Sequence, residues 1–199
     1  MSEGRDVAAP VAERLSHVTP THAKKVRLGD VADLNMGQSP ASGSYNQSSE
    51  GLPFYQGNAD FGPRTPTPRV WCNAPTKIAN AGDILISVRA PIGALNFASE
   101  RCCIGRGLAA LTAKAEADSL FIYFALKTKT DDLNLRGTGS TFKAINKQAL
   151  AETELPLPPL AEQKRIAAML DKICELKKNA EARIEKLDTL VKSRFVEAA

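Results

Sequence analysis

The sequence predicts an α+β protein: a globular mixed α/β domain followed by one long C-terminal coiled-coil helix. Three observations carry this. Residues 160–199 contain neither Gly nor Pro, and their apolar residues recur with a seven-residue period, as along the seam of a coiled coil. Between residues 25 and 112, short apolar runs are punctuated by Gly and Pro, the pattern of brief strands joined by tight turns. From Asp118 the apolar spacing becomes helical, so strands come first and helix later.

Residues 1–24 are polar and mixed in charge and read as a loosely held leader. The domain, residues 25–158, opens at Lys25, where Val26 and Leu28 and then Val31 suggest a short strand and a helical turn. Asn35-Met36-Gly37-Gln38-Ser39-Pro40 follows, and then a polar loop rich in Gly and Ser runs through Gly51. Leu52 to Gly62 is a second strand ending in a polar turn, followed by a proline-broken loop from Pro63 to Pro68. Ala81-Gly82-Asp83 is a tight turn into the strand Ile84 to Arg89, which Pro91 and Gly93 close. Cys102 to Thr112 reads as one further strand around Gly105 and Gly107, glycines that let a backbone approach another backbone or a ligand. Asp118 is a plausible cap for a helix reaching Leu133, with Leu120, Tyr123, Phe124 and Lys127 on one face. A loop spans Gly137 to Lys143, and a short helix is expected from Asn146.

Residues 159–199 form the long helix. The prolines of Leu155-Pro156-Leu157-Pro158-Pro159 cannot be helical in series and read as a stiff spacer that projects it. Pro159 suits a helix start, where amide hydrogens have no partner within the helix, and Glu162 lies near the positive end of the helix dipole. Ile166, Leu170, Ile173, Lys177, Ala180, Ile184, Leu187 and Val191 alternate steps of four and three. Lys177 is the one polar member, a residue type that can fix register or partner number. At 1.5 Å per residue the helix is roughly 60 Å long, more than a globular helix needs, so the seam calls for packing against another long helix, the alternative being a long helix that lies on its own domain.

Composition narrows the function classes. The chain has 199 residues, net charge +4, four cysteines and two histidines. The cysteines lack CxxC spacing, so no metal site is expected and reduced thiols in a cytoplasmic protein are the simplest account. No apolar run reaches membrane-spanning length. The one Pro-Pro pair is flanked by leucines, which excludes the Asn/Asp-Pro-Pro-aromatic loop of an amino methyltransferase. The Gly105-x-Gly107 and Gly137-x-Gly139 pairs lack the strand–turn–helix context of a nucleotide or S-adenosylmethionine site. No catalytic residue, cofactor or metal is therefore expected, and a cysteine–histidine hydrolase is the weakest reading. Between Phe61 and Ala115, however, seven basic residues face only Asp83 and Glu100. Phosphates attract such a surface, and nearby amides can read base edges. Gln38, Ser39, Gln56 and Asn58 are candidates for the second task. The rival reading is a coiled-coil scaffold whose head binds protein.

A resemblance bears on that choice. Leu28-Gly29-Asp30-Val31, Met36-Gly37-Gln38-Ser39-Pro40, Pro53-Phe54-Tyr55-Gln56-Gly57, Gly82-Asp83-Ile84-Leu85-Ile86-Ser87-Val88-Arg89-Ala90-Pro91, Cys103-Ile104-Gly105-Arg106-Gly107 and Gly139-Ser140-Thr141 lead in order into Pro158-Pro159-Leu160-Ala161-Glu162-Gln163. The series resembles the specificity subunit of type I restriction–modification systems, one target-recognition domain with one helix where a full subunit carries two of each. The resemblance implies a non-catalytic half-subunit or fragment that binds double-stranded DNA. It implies docking on a DNA methyltransferase subunit, and a restriction subunit where the system has one. It also implies that two copies pair their helices antiparallel and read an interrupted palindrome. With the basic surface it makes Arg64, Arg69, Arg89 and Arg106 candidates for phosphate or guanine, and Ser140, Thr141 and Lys143 candidates for backbone oxygens.

Overall fold

The structure, a computed structural model, describes residues 23–139 and 143–197, with side chains as far as residue 193. It has three layers. Strands β2 (Ala32–Met36), β7 (Ile84–Ser87), β8 (Leu95–Phe97) and β10 (Leu108–Ala113) form an antiparallel sheet in the order β2-β10-β7-β8. Strands β3 (Tyr45–Asn46), β4 (Leu52–Tyr55), β5 (Trp71–Cys72), β6 (Ile78–Ala79) and β9 (Cys102–Ile104) form a second sheet in the order β3-β5-β4-β9-β6, in which β4 and β9 run parallel. Helices α1 (Leu28–Val31), α2 (Ser119–Lys127), α3 (Thr130–Arg136) and α4 (Lys147–Ala151) complete the body.

The burial pattern explains why the central strands read as unbroken apolar runs. On β7 and β10, Ile84, Ile86, Ala109 and Leu111 pack toward the helical residues Phe121, Ile122 and Leu126. Leu85, Leu108 and Ala110, one residue out of phase, pack against Tyr55, Cys102 and Ile104 of the second sheet. Alternate side chains of a strand point to opposite faces, so a strand covered on both sides must be apolar throughout. Asp83 is buried at the entry to β7, where its carboxylate accepts from the Asn80 amide (2.7 Å) and the Thr112 hydroxyl (2.8 Å).

Four local expectations are corrected. Asn35 and Met36, expected to lead into a polar loop, end a strand, β2, whose Leu34 and Met36 pack on the core. Cys102 to Thr112 is two strands in different sheets, because the turn at Gly105–Gly107 carries the chain from one layer to the next. The helix from Asp118 does begin there, with the aspartate accepting from the Phe121 amide at 2.9 Å, but it breaks before Thr130. At the break the Thr128 hydroxyl bonds the Ala125 carbonyl (2.8 Å) and the Thr130 hydroxyl the Lys127 carbonyl (3.1 Å), the side-chain competition that makes threonine a poor interior helix residue. The proline-rich spacer is strand β11 (Glu154–Leu157), antiparallel to β1 (Lys24–Arg27), with Val26 opposite Leu155. Proline is tolerated there because both are edge strands of a two-stranded ladder.

The long helix, α5 (Leu160–Glu197), starts where expected, with the Pro159 carbonyl accepting from the Glu162 and Gln163 amides. Its first turns are welded to the body. Gln163 has no exposed surface; its side-chain oxygen accepts from the Asp118 amide (2.9 Å), and its nitrogen donates to the carbonyls of Glu116 (3.0 Å) and Pro158 (2.8 Å). Ala167 is buried, and Ile166 and Leu170 pack on the core cluster. These two seam residues thus serve their own domain, a correction to the expected seam. From Lys172 to Ser193 the helix is exposed all round.

Candidate nucleic-acid interface

Strands β2, β4, β7 and β9 end, and β10 begins, at the same side of the molecule, so the loops that join them meet there. Backbone bonds stitch the loops into one rim. The Gln38 amide donates to the Ile104 carbonyl (3.0 Å) and the Arg106 amide to the Ser39 hydroxyl (3.4 Å). The Gly107 amide donates to Gln56 (3.1 Å), and the Gly107 carbonyl accepts from Val88 (2.9 Å). The Ala90 amide donates to the Lys143 carbonyl (3.1 Å), and Arg89 bridges to Ala144. The approach is close enough to demand glycine: a Cβ on Gly37 would lie 2.2 Å from the Gly105 oxygen, and one on Gly107 2.3 Å from the Gln56 oxygen. The glycines of two sequence landmarks therefore build the rim, while the side chains between them face outward.

Gln38, Gln56, Arg89, Arg106 and Lys143 are all exposed, and among the described residues their side chains have no hydrogen-bond or ion-pair partner. Three cations and two amides thus share one edge with their donors free. Ser39 lies at the same edge, half-buried. Ser140 and Thr141 lie outside the described residues.

Asn58 and Arg69 sit beside this rim in a cleft of about 580 Å³, lined also by Gln56 and by Gln47, which sequence reasoning passed over within its polar loop. Asp60 organises the cleft. One carboxylate oxygen accepts from the Gln56 (2.8 Å) and Gly57 (3.4 Å) amides; the other takes Nε (3.2 Å) and Nη2 of Arg69. Arg69 Nη2 also donates to the Ala59 carbonyl (3.3 Å), so the guanidinium is held in place with Nη1 left over.

Arg64 is not part of this surface. It pairs with Asp171 on α5, and its guanidinium lies over the rings of Phe97 (5.4 Å) and Tyr123 (5.6 Å). Its partner lies 107 residues away in sequence, beyond the reach of any local pattern.

The buried thiols lie away from this chemistry. Burial pushes the Cys102 thiol up to about 12 and raises the Cys103 thiol and Tyr55 hydroxyl as well. Thiols held protonated are poor nucleophiles. Among the described residues no group of three or more His, Cys, Asp or Glu could hold a metal ion, and no helix is long and apolar enough to cross a membrane.

On the exposed part of α5 the expected seam residues Ile173, Ile184, Leu187 and Val191 are 51–60% exposed. Beside them runs a further column, Met169, Leu176, Arg183 and Leu190, apolar except at Arg183 and each one position before the Leu170, Lys177, Ile184 and Val191 column. The apolar stripe is therefore three columns wide where a two-helix seam needs two.

Comparison with known proteins places this geometry. The family model described as type I restriction modification DNA specificity domain matches residues 20–187. A protein of Methanocaldococcus jannaschii provisionally named as the MjaX type I restriction enzyme specificity subunit is 46% identical over 155 residues, 76% of this chain and 36% of that protein. The crystal structure of the HsdS subunit from Thermoanaerobacter tengcongensis is 47% identical with a TM-score of 0.72, over 82% of this chain and 40% of that one. A chain from a structural study of complex assembly and conformational transition of the type I R-M system is 46% identical with a TM-score of 0.78, over 87% and 46% of the two chains. The chain thus spans less than half the length of these relatives.

Proposed function

Because this chain belongs to the type I restriction–modification DNA specificity family, we propose that it reads duplex DNA as one half of a two-domain reader and performs no chemistry itself. Residues 25–158 bind DNA, and the helix of residues 159–199 pairs with a second copy and docks a methyltransferase subunit. The observation that carries this reading is the rim, where Arg89, Arg106 and Lys143 stand with Gln38 and Gln56, all exposed and unpaired among the described residues. Cations anchor phosphates, and amides discriminate base edges in the major groove. A head built to bind protein would present apolar anchors, and the large exposed hydrophobics of the described residues lie mostly on α5.

In this reading the partner helix is that of a second copy, since α5 alone cannot cover its stripe. Antiparallel pairing puts the two recognition domains at opposite ends. Two identical readers about a two-fold axis see the same bases on opposite strands, so the target is an interrupted palindrome. A helix seated on the two seam columns leaves Met169, Leu176 and Leu190 at its margin, a surface for the methyltransferase subunit. Selection from random duplexes followed by mobility shift over a salt series tests the whole. Affinity that falls with salt, and an enriched palindrome with a gap, is expected; binding indifferent to salt or sequence refutes it.

A further inference from the structure

The joint between body and helix is built more firmly than holding the helix on would require. Gln163 fixes the first turn by three hydrogen bonds from a site with no solvent exposure. Ile166, Ala167 and Leu170 pack the next two turns on the core. At the residue after Leu170, the Arg64–Asp171 pair ties the helix to a different part of the body. Arg64 leaves the loop ahead of β5, its own carbonyl accepting from the Phe97 amide (2.8 Å). Its guanidinium rests on Phe97 of β8 and Tyr123 of α2, two rings stacked 4.7 Å apart, and ends on Asp171 of α5. A single side chain thus connects three elements just before the helix becomes exposed all round. Both partners are about two-fifths exposed (41% and 43%), and ion pairs so exposed add little stability. What this pair fixes is direction: Gln163 holds the helix at its root, and a second tie two turns away stops it from swinging about that root.

Direction is amplified by length. About 40 Å of helix extends beyond Asp171 at 1.5 Å per residue. A swing of about 5° there moves the far end sideways by roughly 3.5 Å and tilts the second domain by the same angle, a shift on the scale of one base-pair step of about 3.4 Å. We propose that Arg64 and Asp171 are positioning residues that set the number of base pairs between the two half-sites, with Gln163 as the pivot they work against. The inference rests on the antiparallel dimer proposed above; neither residue needs to touch DNA.

The experiment uses the full chain and duplexes carrying the selected half-sites at the selected gap and at gaps one and two base pairs longer and shorter, with a single half-site duplex as control. The unmodified chain is expected to prefer one gap by tenfold or more. Asp171→Asn is expected to keep its affinity for the single half-site while its preference among gaps flattens to about threefold. Arg64→Gln should show the same flattening, and Asp171→Glu, which keeps the pair, should restore the original profile. Unchanged gap profiles in both pair-breaking variants overturn the inference and leave the dimer reading standing. An unmodified chain that gains nothing from a second half-site at any gap removes the dimer reading, and this inference with it.

Discussion

Replacing Gln163 by Leu keeps the size of the side chain and removes all three of its hydrogen bonds. The substitution strands the Asp118 amide and the carbonyls of Glu116 and Pro158. A polar group left unpaired in a buried site costs about 1–3 kcal/mol. Two of the three bonds lie in part-buried surroundings and one is buried, so the lower end applies to two of the groups. The added apolar surface of Leu offsets roughly 1 kcal/mol. A net loss of about 3 kcal/mol follows, a large share of the 5–15 kcal/mol typical of a folded domain. For a chain of this size that corresponds to a fall in Tm of roughly 6–12 °C. Urea unfolding followed by circular dichroism measures it, with the slope of the transition unchanged. Gln163→Glu should cost more at neutral pH, because a carboxylate can accept from Asp118 but cannot donate to either carbonyl, and its charge is buried. A loss below about 1 kcal/mol in the Leu variant would show that the hydrogen bonds do not secure the helix, and the pivot assigned to Gln163 would fall with them.

Arg89→Ala and Arg106→Ala should each reduce the salt dependence of DNA binding by about one counterion if they meet phosphate, or cost ~1–3 kcal/mol with relaxed sequence preference if they meet guanine; full affinity and full slope in both would displace the interface from the rim. Asp at both Ile173 and Ile184 buries charge in the seam, so light scattering should find monomers where the unmodified chain gives dimers at micromolar concentration; a monomeric unmodified chain removes the palindrome. Tyr55→Phe should leave stability unchanged or raise it by up to roughly 1 kcal/mol, since the buried hydroxyl has no hydrogen-bond partner among the described residues and its removal frees no other group there; a clear loss of stability would reveal a hidden partner. The Cys102 thiol, at 9.0 in its unperturbed state and about 12 in the fold, is ionised in the unfolded chain before the folded one. Its contribution is therefore intact below about pH 9 and lost as pH rises toward 12, so Cys102→Ala should flatten the decline in stability measured across that window.

Legibility in the sequence followed the kind of signal. Ile84–Ser87, the Asp118 cap and the glycine-free helix announced themselves, because each depends on neighbours in the chain. Strand β2 carries a readable signal: Ala32, Leu34 and Met36 alternate with Asp33 and Asn35, a clean period of two. Tyr45–Asn46, Trp71–Cys72 and Ile78–Ala79 are two-residue strands, too short for any period, and exist because longer strands lie beside them. The rim was half legible. Its glycines and amides could be picked out, but which of them meet is decided by the crossing of two sheets. Arg64 shows the limit most plainly: by composition it belonged with the other arginines, and only the folded chain brings Asp171 to it. Gln163 sat inside a recognised motif without a stated task, since a buried amide looks like a solvated one until its three partners are in place.

The pairing of β1 with β11 has a kinetic consequence. Arg27 lies opposite Glu154, so the ladder that closes the domain joins residues from its two ends, and the ordering entropy of so long a loop must be met before these bonds form. At translation rates of about 5–20 residues per second, roughly 6–25 s separate the synthesis of these two residues. Through that interval the first strand is an unpaired edge, the kind of segment that recruits other nascent chains. Its sequence, Lys24-Lys25-Val26-Arg27, is cationic at every position but one. Like charges on neighbouring ribosome-bound copies keep such edges apart, and the acidic Glu154 arrives with the strand meant for it.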